Sequence, residues 1–341
     1  DMGTELWGRW SNQRAEAIQG QLSIKSLSFE QESLEDMTDS AVTFSLLPIS
    51  AEKFKFVISD LLLKNSRSKV EMPFASADIS VDKGKVLVHQ ASLKELDLAM
   101  WSEWFLGKPY IPESLNDALL KLKPQGYLQN LTVVWADPRN LTKLQGEGDL
   151  HGVSVDGYYG APVLKNVTGR IAFTEASGDI DLDTESFVMG FPELFSENWK
   201  YSEASGRVSW MIEERKGHAR PVVTVNSSLL NLKSESLSAA GRFSIYLPLD
   251  GKRQTELTLL IALKDADAKQ APLYIPPEVV GVSLHRWVSA AIKEGTVKDG
   301  MLLLRTGTRR LADRDPPTVQ LYFDVERAAV KFQSDWPVVK H

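Results

Sequence analysis

The sequence predicts a mainly β fold, a mostly antiparallel sheet of many short hairpins. Three observations predict it: apolar residues alternate with polar ones at a period of two along most of the chain, residues that tolerate positive φ fall between the alternating runs, and helical spacing appears only in brief stretches. Alternation of this kind gives each strand one apolar and one polar face, so one side of the sheet meets something apolar. On period alone, that something is either the facing layer of a closed sandwich or the interior of an open groove.

Taken in order, the first alternating runs are Leu22 with Ile24, Ile79 with Val81, and Val86 with Val88. Leu131, Val133 and Trp135 follow, then Val153 and Val155, Ile171 and Phe173, and Ile180 and Leu182. The pattern resumes at Val208, Trp210 and Ile212, at Val223 and Val225, at Phe243, Ile245 and Leu247, and at Leu257, Leu259, Ile261 and Leu263. It closes on Val319, Leu321, Phe323 and Val325. Asp82-Lys-Gly-Lys85, Glu175-Ala-Ser-Gly178, Asp250-Gly251 and Asp299-Gly300 each offer a hairpin tip. A degenerate repeat of strand, turn, strand and apolar tail recurs at 77–98, 169–194 and 206–232.

Helices are few. Pro112 precedes Leu115, Leu119, Leu120 and Leu122, and Pro124 stops that segment; Ser283 is expected to cap a second helix carrying Leu284, Trp287, Val288, Ala291 and Ile292, with Gly295 beyond its end. Trp101, Trp104 and Phe105 fit a third short turn. No Pro-rich or Gly/Ser-rich linker divides the 341 residues, so residues 1–341 read as one elongated segment with an irregular joint near 99–125 and a closing helix-plus-strands part at 274–337.

Composition excludes several classes. Lys plus Arg number 39 against 45 Asp plus Glu, a net charge of −6, which leaves no electrostatic footprint for nucleic acid. The Arg305, Arg309, Arg310 and Arg314 cluster is interleaved with Asp313 and Asp315 and reads as a solvated loop. With no cysteine, thiol chemistry and Cys-based metal sites are out. His89, His151, His218, His285 and His341 show no metal spacing, and Asp179, Asp181 and Asp183 read as the wet face of a strand because Thr184 stands where a calcium loop needs glycine. Ser50-Ala-Glu-Lys53 and Ser66-Arg-Ser-Lys69 lack the other elements of a serine acylase, and Gly146-Glu-Gly148 leads into alternation rather than a helix. No catalytic residue, metal or cofactor is expected. No run reaches the roughly 20 apolar residues of a membrane span, and the first residues carry no signal peptide.

One family combines these pieces. Tyr274-Ile-Pro-Pro-Glu278 before a helical pattern, Gly295 to Gly300, Met301-Leu-Leu-Leu-Arg305, the strand at 319–325 and Asp335-Trp-Pro337 resemble the YhdP family of AsmA-like proteins. Trp135-Ala-Asp-Pro138, the strand start Gly206-Arg-Val-Ser-Trp210 and the connection from Phe187 to Trp199 fit it too. The resemblance implies an elongated, curved β-sheet forming an open hydrophobic groove, and a periplasmic fragment of a longer protein whose inner-membrane anchor lies outside these residues. It further implies a non-enzymatic conduit for phospholipid between inner and outer membrane. The groove candidates are then Val133, Trp135, Val153, Val155, Ile171, Phe173, Ile180, Leu182, Val208, Trp210, Ile212, Phe243, Ile245, Leu247, Leu257, Leu259, Ile261, Leu263, Val319, Leu321, Phe323 and Val325. A structural or adhesive β-repeat with a self-buried core, or a carbohydrate-active β-solenoid using the tryptophans as platforms, would show the same alternation.

Overall fold

The computed structural model describes residues 1–11, 14–29, 36–109, 111–140, 142–158, 160–235, 237–250, 253–307, 316–333 and 335–340; Gly251, Arg309, Arg310, Arg314 and His341 lie outside these. Strand makes up 64% of the structure and helix 12%, and the nineteen strands among the described residues belong to one antiparallel sheet, so the mainly β expectation holds. The chain divides into two compact units, residues 1–153 with 170–175, and residues 154–169 with 176–341.

The first unit contains β1 (Met2–Ser11), β2 (Arg14–Leu27), β3 (Met37–Pro48), β4 (Lys53–Lys64), β5 (Lys69–Met72), β6 (Ala75–Asp82), β7 (Lys85–Asp97), β8 (Gln125–Trp135) and most of β9 (Leu144–Val155). Between β7 and β8 come α1 (Leu98–Phe105), whose N-cap Asp97 accepts from the Met100 amide, and α2 (Glu113–Leu122), entered from Pro112. The β6–β7 tip behaves as its sequence requires. Lys83 and Gly84 both have positive φ, 49° and 77°, the geometry of a type I′ hairpin turn.

β10 (Val163–Thr174) spans the division. The second unit continues with β11 (Ser177–Gly190), β12 (Trp199–Glu213), β13 (Val222–Ser227), β14 (Leu230–Ser234), β15 (Leu237–Pro248) and β16 (Glu256–Asp267). After a 3-10 turn at Ala268–Gln270 come α3 (Ala271–Tyr274), α4 (Pro277–Val280) and α5 (Val282–Ala291), then β17 (Ile292–Gly307), β18 (Thr318–Val330) and β19 (Val339–Lys340).

Two sequence expectations are corrected here. Asp299-Gly300 is no hairpin tip: β17 runs straight through it, and Gly300 is paired with Leu263 on one side and Phe323 on the other. A Cβ there would lie 2.9 Å from the Phe323 ring, so the glycine serves a close cross-strand approach rather than a turn. Ser283 does not cap α5 either. Gly281, at φ 90°, separates α4 from α5 and holds the cap position, which puts Ser283 inside the first turn.

Many strands change phase partway along. In β16 the buried residues are Leu257, Leu259, Ile261 and Leu263, then Ala266, with Ala268 just past the strand's end. Asp265, at φ 50°, sits at the change. Without it the period would turn Asp265 and Asp267 inward. The same device occurs at Ser186 in β11 (φ 53°), between Thr184 and Phe187, and at Arg327 in β18, Asn166 in β10, Asn130 in β8 and Asp39 in β3. Asn and Asp are the side chains that tolerate this conformation best. Their polar groups also bind across strands, the Asn130 amide donating to Asp149 and the Asn166 amide to the Glu185 carbonyl. In β11, β16 and β18 these residues lie near the strand ends that lead into 191–198, 268–291 and 331–338. Each such strand changes phase close to one of its ends.

Candidate functional site: the apolar face

Register assigns every paired residue to a face. In the first unit Leu6, Gly20, Phe44 and Ile58 align across β1 to β4, and Leu46, Phe56, Ala77, Ala91 and Val133 across β3 to β8. Phe44 stands on Gly20 and Phe173 on Gly146, where a Cβ would come within 2.5 and 2.4 Å of the rings. Bulk on one strand is thus accommodated by absence on the next, and the row remains apolar and close-packed laterally. The opposite face of these strands carries Gln19, Ser45, Lys55, Asp78, Ser92 and Thr132.

The second unit repeats the arrangement with larger side chains. Ile180 pairs with Val208; Phe243 pairs with Leu259, Leu259 with Leu304, and Leu304 with Val319. Beside that row run Trp210, Val225, Ile245 and Leu257, and on the other flank Leu230, Gly241, Ile261, Leu302 and Leu321. Ile212 aligns through Val223 with Leu247, Leu182 with Gly206, Leu263 through Gly300 with Phe323, and Val325 with Val297. The pairings therefore bring Ile180, Leu182, Val208, Trp210, Ile212, Phe243, Ile245, Leu247, Leu257, Leu259, Ile261, Leu263, Val319, Leu321, Phe323 and Val325 to one face. Asp181 and Arg207 lie on the other, joined at 2.6 and 2.7 Å in a two-point ion pair.

Exposure along the apolar face of each unit is uneven. In the first unit Val133, Trp135, Ile171 and Phe173 are half-buried, as are Phe44, Phe56, Ile79 and Val88; Val153, beyond Gly152, is half-buried as well. In the second unit Val155, Ile180, Leu182, Val208 and Trp210 are half-buried and Ile212 is exposed. Ile245, Leu247, Leu257, Leu259, Ile261 and Leu263 are buried, Leu257 with no exposure at all. Phe243, Val319 and Val325 are intermediate, and Leu321 and Phe323, on the last long strand β18, are exposed.

Sequence reasoning missed the aromatic cluster at one rim. Phe187, Met189, Phe191, Leu194, Phe195, Trp199 and Tyr201 are all buried. Trp199 packs on Phe195 at 4.7 Å and on Tyr274 at 5.5 Å, and its indole donates to the Leu273 carbonyl at 3.0 Å. Burial, with Tyr274 beside it, holds the Tyr201 phenol well above its ordinary pKa. The density of aromatic residues between Phe187 and Trp199 was the available signal, but nothing in the sequence said that 271–276 would fold onto it.

Among the described residues no group of three or more His, Asp or Glu side chains converges as a metal site would require, and no helix is long and apolar enough to cross a membrane. A family model described as YhdP protein matches residues 1–341. Neither the curated proteins nor the solved structures contain a match.

Proposed function

The chain belongs to the YhdP family, and on that premise we propose that it is a non-enzymatic conduit segment, carrying phospholipid acyl chains along its apolar face between the inner and outer membranes. The family is one of envelope transport. Periplasmic placement, with an inner-membrane anchor elsewhere in the protein, is part of the same proposal.

The observation that carries it is the half-buried state of a continuous apolar row. Phe44, Phe56 and Val133 lie on one face by register, yet none is fully covered by protein. A self-buried core would leave such residues inaccessible, and a soluble surface would not concentrate them. Acyl chains supply the missing cover. A two-chain phospholipid exposes roughly 30 methylenes, each worth about 0.8 kcal/mol, so an apolar face that follows the chains removes on the order of 25 kcal/mol from their passage through water.

The test is direct. Protein made in bacteria and purified without detergent is expected to carry phospholipid, seen by native mass spectrometry and by organic extraction. Lipid-free protein that also fails to take up a fluorescent acyl probe would remove the conduit reading in favour of a structural β-repeat.

A further inference from the structure

The connection between β16 and β17 crosses the apolar face of the second unit. Its residues Ala271, Tyr274 and Ile275 meet Leu237, Ile261, Leu263 and Leu302 around a cleft with about 30 Å³ free for a water-sized body. That is room for one water, far below the roughly 300 Å³ at which ligand pockets begin. Ile275 is 7% exposed and Pro276 under 2%. The connection therefore fills apolar space, whereas Phe44, Phe56 and Val133 of the first unit stay half-buried.

What holds it there is of a kind that a hydrocarbon chain can replace. Beyond the Trp199 indole bond to the Leu273 carbonyl, the His285 ring on the Pro272 carbonyl at 3.1 Å and the hydrogen bond between the Tyr274 and Tyr201 phenols, the strip is held by apolar and aromatic contacts. α3 is a single turn with no side-chain cap, and Pro272, Pro276 and Pro277 have no amide to tie to the sheet. Gly281, at φ 90° with open space around its Cβ position, is a natural pivot behind the strip.

We propose that the second unit holds a latent acyl-chain site, lined by Leu237, Ile261, Leu263, Val297 and Leu302, and that residues 271–276 keep it shut by occupying it. An acyl chain enters when the strip lifts about Gly281 and exchanges one set of apolar contacts for another. The inference rests on the conduit reading and adds a closed position within it.

The absence of cysteine makes the test clean. Ala271→Cys with Leu321→Cys, two positions lining the same cleft, are joined by a short bis-maleimide to pin the strip. The full chain is then incubated with vesicles of a phospholipid bearing a diazirine at the end of one acyl chain, and labelled residues are mapped by mass spectrometry. Pinning is expected to lower labelling of Ile261 to Leu263 and of Leu302 about tenfold, with labelling around Phe44 and Phe56 unchanged. Releasing the strip with Tyr274→Ala and Ile275→Ala is expected to raise it by a similar factor. Equal labelling of β16 and β17 with the strip free and pinned overturns the latch, as does labelling confined to the first unit in every variant. No labelling anywhere removes the conduit reading and the latch with it. Should the released variant fail to fold, the pinned one decides alone.

Discussion

The same alternating pattern leads to two physical states in the two units. In β3, β4 and β6 of the first, Phe44, Phe56 and Ile79 share an apolar face and remain half-buried. In β16 and β17 of the second, Ile261, Leu263 and Leu302 share an apolar face and are 5, 8 and 3% exposed. The strands do not differ in kind. The difference lies in what covers the face: β16 and β17 are linked by residues 268–291, which fold back over Ile261, Leu263 and Leu302, while the β3–β4 and β6–β7 hairpins have nothing to fold back. α1 makes a smaller version of this cover in the first unit, where it packs on β5 and β8 and where Val70, Met72 and Leu131 are buried. Period two determines which residues share a face, and the connections determine whether that face is a core or a surface awaiting a ligand.

The largest expected effect separates the two states outright. Leu257→Asp or Leu304→Asp places an unpaired carboxylate where no water reaches, at a cost of several kcal/mol, and the melting transition of the second unit should collapse. Phe56→Asp makes the same chemical change on the half-open face, where the carboxylate can hydrate once the face is empty. Its transition should survive within several degrees while binding of an acyl probe falls about tenfold. Equal collapse in both variants would show that the first unit's face is a core after all.

Truncation sharpens the contrast without charge. Ile245→Ala leaves a cavity in a packed region and is expected to cost about 2–4 kcal/mol, whereas Val133→Ala should cost about 1 kcal/mol or less. Denaturant melts of the two variants measure both. A Val133 cost as large as the Ile245 cost would mean that the two faces are packed alike.

Much of this was legible. The strand residues, the shared face and the β6–β7 turn followed from period and turn chemistry, because a two-residue hairpin and a one-sided strand are local consequences of local sequence. What escaped is non-local or rare. The phase changes at Ser186, Asp265 and Arg327 depend on single left-handed residues that look like ordinary polar strand positions. Asp299-Gly300 resembled a turn because the role of Gly300 is set by Phe323, which lies far along the chain and beside it only in space. The burial of Leu263 depends on Ile275, which no periodicity connects to it.

An alkaline titration probes the aromatic clamp of the second unit. Burial raises the phenol pKa of Tyr201 and that of Tyr274 above the ordinary value of 10.0. The folded state thus holds these protons more tightly than the unfolded state, so their contribution to stability is complete below about pH 10 and is lost as the pH climbs beyond it. Stability of the second unit is expected to fall there, and Tyr201→Phe is expected to flatten that fall, with tyrosinate absorbance as the independent readout. A wild-type profile unchanged by Tyr201→Phe would show that the clamp carries no such linkage.

The smallest expected effect lies on the opposite face. Arg207 meets Asp181 at 2.6 and 2.7 Å and has Asp179 at 3.9 Å, and those carboxylates raise its pKa. Both side chains of the close pair are about half exposed, 55% and 50%, so water screens the attraction and ordering two side chains offsets most of what remains. Arg207→Ala should leave the melting transition and acyl-probe binding where they are, although it removes the best-formed ion pair on that face of β11 and β12. Val208→Ala, one residue along on the apolar face, is expected to weaken probe binding measurably. A reversal of that order, with Arg207 mattering and Val208 not, would place the functional surface on the polar side of the sheet.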